Sequence, residues 1–106
     1  MQVFRQDNYA YVRQFGSRGK GDGQFNSVTG VCMGSDGTIC VADCSNHRVQ
    51  AFRHDNGTLV GKLGRKGERV GQFRSLSGIC SQGGVLFVAD SVNHRIQAFP
   101  LHLLRM

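Results

Sequence analysis

A chain of 106 residues with 15 glycines and one proline is of single-domain size, and its glycines separate short apolar runs as tight turns separate strands. Its 13 Lys+Arg against 7 Asp+Glu leave a formal charge of +6, which draws a small domain toward polyanions or acidic protein surfaces. No apolar run approaches the length of a membrane span, and the opening MQVFRQDNYA lacks the apolar core of a secretory signal, so no membrane partner and a cytoplasmic location are expected.

Taken in chain order, QVFRQDNYAYVRQFG (residues 2–16) predicts two strands that finish a sheet. A polar, glycine-rich linker with Arg18 and Lys20 follows. Four apolar runs come next: GVCM at 30–33, TICVA at 38–42, RVQAF at 48–52 and TLVGKL at 58–63. SDG, DCSNH and HDNG lie between them, and Asp-Gly and Asn-Gly pairs suit hairpin turns because they tolerate positive φ. Residues 28–63 are therefore predicted to form one four-stranded antiparallel sheet. A second linker carries Arg65, Lys66 and Arg69, and residues 76–99 predict three more strands. Pro100 and LHLLRM stand where a turn and a fourth strand are expected. Branched and aromatic residues dominate the runs, and no useful length has helical spacing. TICVA and VLFVA are apolar on both faces, as strands packed between two sheets are.

The chain repeats itself. Residues 15–52 align with 63–99 when Asp36 is left unpaired, and 18 of the 37 aligned pairs are identical. The interval is 48 residues before that gap and 47 after it, near the length of a four-stranded propeller blade. QVFRQDNYAYVRQFG sits 48 residues before QAFRHDNGTLVGKLG, so the chain starts in mid-repeat.

The repeated marks are a glycine-spaced G-x-G-x-G-Q-F, then V-A-D, then N-H-R-V/I-Q. They fall at Gly19, Gly21, Gly23, Gln24 and Phe25, at Val41–Asp43 and at Asn46–Gln50. The second copy has Gly71–Gln72–Phe73, Val88–Asp90 and Asn93–Gln97. In these the chain resembles the NHL repeat family over nearly its whole length. It departs from the family pattern in having Val28 and Leu76 where proline usually stands, VCMG and ICSQ in place of V-A-V-D, and Arg69 in place of the glycine at Gly21.

The resemblance implies an all-β fold: a β-propeller fragment of about two to two and a half four-stranded antiparallel blades from a six-bladed NHL propeller. Residues 1–16 then end a preceding repeat, 17–63 form one repeat, 64–99 an incomplete one and 100–106 a tail. Open repeat ends leave apolar edges, so the chain is expected to be an incomplete gene product, unstable without the remaining blades. Assembly of several copies into a ring is the alternative.

A four-stranded meander sends alternate connections to opposite ends. The linkers and the connections between the second and third strands therefore share one face. That face gathers Arg18, Lys20, Asn46, His47, Arg65, Lys66, Arg69, Asn93 and His94 as candidate contacts for single-stranded RNA or an acidic protein surface. The opposite face carries Asp36 and Asp55, with Arg53 nearby. Asp43 and Asp90, with Arg48 and Arg95, are expected to cap turns, and Phe25 and Phe73 to lie in the core. Cys32, Cys40, Cys44 and Cys80 lack the close pairing of a metal site and are expected to be thiols, a disulfide or metal being the lesser alternative.

No catalytic motif, cofactor site or metal site is predicted. NHL propellers often end proteins with RING, B-box and coiled-coil regions that regulate translation or ligate ubiquitin. The resemblance thus implies a binding module in a tripartite-motif-type post-transcriptional regulator, or else the substrate-recognition part of a ubiquitin ligase. A metal-dependent amidating lyase also resembles these propellers, but it holds its metal through a histidine cluster with no counterpart here.

Overall fold

The computed structural model describes residues 2–4, 11–14, 16–34 and 37–104. Strands β1 (Gln2–Phe4) and β2 (Tyr11–Gln14) pair antiparallel as a first sheet. Two short strands, β3 (Ser17–Arg18) and β4 (Gln24–Phe25), pair parallel and fold the linker back on itself. The second sheet is a meander of β5 (Val28–Met33), β6 (Thr38–Asp43), β7 (Arg48–Arg53) and β8 (Leu59–Leu63). The third contains β9 (Leu76–Gln82), β10 (Val85–Asp90) and β11 (Arg95–Pro100), again antiparallel. A four-stranded meander followed, across a linker, by a second antiparallel meander is the arrangement of consecutive propeller blades. Asp36, expected on the face opposite the linkers, lies outside the described residues.

The sheets stack through apolar side chains. One face of the second sheet presents Cys40, Ala42, Val49 and Ala51 to Leu76, Leu86, Val88 and Phe99 of the third, and Phe73 of the linker completes that core. The other face carries Ile39, Val41 and Phe52, which cluster with Phe25. Every residue of β6 is consequently buried. Phe25 meets Phe52 edge-on with centroids 5.7 Å apart, and Phe73 meets Phe99 in the same way at 6.1 Å. Both linker phenylalanines are therefore committed to the core, an arrangement that adds aromatic contact energy to area burial.

The expectation that VLFVA is covered on both faces holds only in part. Leu86 and Val88 are fully buried, whereas Phe87 is 37% exposed on the opposite face. Phe87, Ile96, Ile79 and Ala89 line a shallow apolar depression there. Phe87, Ala89 and Ile96 are the repeat counterparts of Cys40, Ala42 and Val49, by which the second sheet meets the third, and no further sheet covers them among the described residues. The same sequence pattern is thus buried in one copy and open in the other because burial depends on the neighbouring sheet.

The segment after residue 99 also differs from expectation. Pro100 ends β11 opposite Val85 rather than starting a tail. An outer strand tolerates proline because its free edge needs no amide donor. Leu101–Leu104 then turn as a 3₁₀ helix against β8, with Leu101 and Leu104 buried. Side chains three apart eclipse in this geometry, so both leucines reach the same core.

Gly64 allows the linker to enter at this angle. Its φ is +115°, and a Cβ there would stand 2.6 Å from the Phe73 ring and 2.8 Å from the His47 carbonyl. Gly16 holds the equivalent place against Phe25, with φ +98° and the same 2.6 Å approach. Only glycine combines this conformation with such close packing.

Leu86→Ala is expected to cost about 2–5 kcal/mol by opening a cavity between the sheets. Ile96→Ser, on the open face, is expected to change stability by no more than about 0.5 kcal/mol. Urea unfolding of the two variants beside the parent chain checks the contrast, and equal losses would mean that the Ile96 face is covered in solution.

Candidate functional site

The linker face is built by one hydrogen-bond pattern used twice. The buried Asp43 ends β6 and accepts the amides of Asn26 at 2.9 Å and Ser27 at 2.8 Å. Asn46 donates one hydrogen to Asp43 at 2.7 Å and the other to the Gly19 carbonyl at 2.9 Å. Arg48 donates through Nη2 to the carbonyls of Gly21 and Gln24. Gln50 accepts the Gly23 amide and donates to the Gln24 carbonyl. The Gly23, Asn26 and Ser27 amides and the Gly19, Gly21 and Gln24 carbonyls of the linker are thereby satisfied by side chains of β6, β7 and the connection between them.

In the next repeat Asp90 accepts the amides of Arg74 and Ser75, and Asn93 bridges Asp90 to the Gly67 carbonyl. Arg95 donates to the carbonyls of Arg69 and Gln72, and Gln97 clasps Gly71 and Gln72. Burial raises the Asp90 carboxyl, but the Ser75 and Arg74 amides, Asn93 and the Arg95 charge outweigh it, so it titrates below the ordinary carboxylate value. Asp43, Arg48, Asp90 and Arg95 are thus turn-tying residues.

Asn46 and Asn93 were grouped with the ligand contacts, but both side-chain donors of each belong to the fold. His47 and His94 take left-handed backbone conformations, with φ 55° and 54°, which turn the chain from the connection into the third strand. The His47 Nδ1 atom is buried and has no hydrogen-bond partner among the described residues. Gln50 and Gln97 were missing from the candidates, although their identity in both copies was a readable signal.

A cleft opens between the linker after β8 and the β6–β7 connection. Lys20, Ser45, Asn46, His47, Arg48, Lys62, Gly64, Arg65 and Lys66 line it. Lys20 of one linker is thus brought beside Arg65 and Lys66 of the next. Lys62, which the repeat pattern did not mark, joins them and is held by Asp22 at 2.6 Å. That bond pulls the Asp22 carboxyl below its usual value. Among the described residues no ion pair involves Lys20, Arg65 or Lys66.

Arg69, Asn93 and His94 do not line this cleft, and Arg18 lies in a separate depression beside Phe25 and Asn26. The basic residues thus divide into a clustered set and a scattered set. On the opposite face Arg53 grips Asp55 through two bonds of 3.2 and 3.0 Å, so charge there is paired. Among the described residues no helix is long and apolar enough to cross a membrane, and no group of three His, Cys, Asp or Glu is placed to hold a metal.

The lowered Asp90 carboxyl contributes stability above its unfolded-state value, and that contribution is lost as pH falls through its folded value. Asp90→Asn is expected to cost about 1–3 kcal/mol at neutral pH, because two buried amides lose a charged acceptor. It should also flatten the loss of stability between neutral pH and about pH 3. Urea unfolding followed by circular dichroism across that range measures both effects, and an unchanged acid limb would show that Asp90 is not the controlling group.

Comparison with known proteins returns the same repeats. No curated protein matches the chain. The sequence pattern of the NHL repeat matches residues 25–52 and 73–99, which together make up just over half of it. Both matched segments run from the linker phenylalanine through the capping aspartate to the end of the third strand. The two hydrogen-bonded copies are therefore the two matched copies, and the chain belongs to the NHL repeat family, whose repeats build propeller modules that bind protein or RNA.

Proposed function

We propose that this propeller segment binds a flexible polyanion, single-stranded RNA before an acidic protein surface, along the cleft between the linkers and the β6–β7 connection. The observation that carries the reading is the convergence of Lys20, Arg65 and Lys66 from two successive linkers on one groove, where no acidic residue is part of the lining. A single strand tracks such a groove because its phosphates are evenly spaced and its backbone bends to follow the cations. Ser45 and His47 also line the groove and offer polar atoms to sugar or base edges.

The reading gives the chain a binding role rather than catalysis. Within a tripartite-motif-type regulator, such a module would deliver the protein to its RNA in the cytoplasm. Within a ubiquitin ligase, it would select an acidic substrate instead.

Titrating a fluorescent uridine-rich oligonucleotide at several salt concentrations tests the proposal. Three phosphate contacts predict a slope of log affinity against log salt of about −2. Arg65→Glu combined with Lys66→Glu should weaken binding at least ~10-fold and flatten that slope, whereas Arg69→Glu should do much less. Affinity that ignores salt and both substitutions would exclude RNA and leave the protein partner.

A further inference from the structure

Cys32 on β5 and Cys40 on β6 are direct partners in the antiparallel register. Cα atoms of such partners lie about 4.5–5.5 Å apart, and their side chains project from the same face. A disulfide tolerates Cα separations of about 4.4–6.8 Å, so no strand has to move far for the sulfurs to bond. Both residues belong to the core where the second sheet meets the third: Cys40 is fully buried, and Cys32 packs against it while remaining part-exposed. The two thiols differ in access and are matched in position.

The surroundings favour reaction at Cys32. A hydrogen bond from Cys40 lowers its thiol to about 7, with burial opposing and Ser81 of the third sheet adding to the effect. A thiolate is the nucleophile in thiol oxidation, and a partly exposed one beside a second thiol has a resolving partner at hand. The other repeat lacks this arrangement, because Cys80 stands opposite Phe87. Cys44 lies at the end of the sheet, 3.7 Å from the Ser75 hydroxyl. Neither supplies a comparable pair.

We propose that Cys32 and Cys40 are an oxidative modification site that closes to a disulfide in the presence of a peroxide. The Cys32 thiolate attacks one peroxide oxygen and breaks the O–O bond, giving a sulfenic acid and, after protonation, water. The Cys40 sulfur then attacks the Cys32 sulfur, the S–O bond breaks, and a second water leaves with the Cys40 proton. In sum, two thiols lose two protons and two electrons, and hydrogen peroxide becomes two waters. The bond replaces the thiol–thiol hydrogen bond at the seam between the sheets, so oxidation is coupled to their packing.

Peptide mapping of the full chain tests the proposal without any substitution. The folded protein is exposed to dilute hydrogen peroxide, alkylated and cut before aspartate. Cleavage at Asp36 and Asp43 places Cys32, Cys40 and Cys44 on separate peptides. The expected product is one cross-link between the Cys32 and Cys40 peptides, reversed by dithiothreitol, with Cys44 and Cys80 alkylated. The same treatment in denaturant should reduce that link several-fold in favour of mixed pairings. The proposal is overturned if the folded chain links Cys32 to Cys44 or Cys80, or if Cys80 oxidises while Cys32 and Cys40 are both recovered alkylated.

Discussion

Two carboxylates hold the linkers of this molecule in place. Asp43 and Asp90 each end the second strand of a sheet, and each gathers two consecutive backbone amides of the linker that enters the same sheet. A linker of glycines and polar residues has no apolar face with which to fix itself. Its amides would otherwise be buried without acceptors, at a cost of about 1–3 kcal/mol for each group. The asparagine three residues later ties the connection to the same carboxylate, and the arginine and glutamine beyond it take up the linker carbonyls. The spacing D-x-x-N-H-R-x-Q thus describes a set of hydrogen bonds made between one connection and one linker.

The basic groove follows from that arrangement. Because each linker is held against the connection between its second and third strands, cations from successive linkers line one groove beside the same connection. Lys20 and the Arg65–Lys66 pair are 45 or more residues apart in sequence but line one groove. The polar residues that repeat most faithfully hold the connection and the linker together, and the groove adds Lys20 and Arg65, which have no basic counterpart in the other repeat, to Lys66, whose counterpart is Arg18. Asn46 and Asn93 illustrate the division, since both of their donors are consumed in holding the fold. A ligand is left to the variable positions, which is how one scaffold serves different partners.

The sheets are equivalent in sequence but not in environment. In the second sheet β6 is buried along its whole length, whereas the third leaves Phe87 and Ile96 open. The Cys32–Cys40 pair lies on the covered side, with one thiol buried and the other reachable, so the thiol chemistry arises in the copy whose packing is complete. Cys80 has the same place in the repeat but meets an aromatic ring across the strand pair. Near-identical repeats therefore acquire different chemistry from one substitution, cysteine against phenylalanine, at a single register position.

Much of this was legible in the sequence, because repetition and turn chemistry are local signals. The 47–48 residue interval, the glycine-marked turns and the alternation of short apolar runs determined the strands, their antiparallel order and the membership of the family. The repeated aspartates and arginines also declared themselves as turn-tying residues, since identity in both copies is what a shared hydrogen-bond pattern requires. Other features depended on tertiary structure. Lys62 carries no mark in the repeat, and only the fold brings it to the groove. Arg69 belongs to the same basic cluster in sequence, yet the linker's path keeps it out of the groove. The exposure of Phe87, the burial of Leu101 and Leu104 and the pairing of Cys32 with Cys40 depend on which sheet or strand lies opposite. A sequence specifies its own turns and periodicity, but neighbours across a sheet are chosen by register and packing.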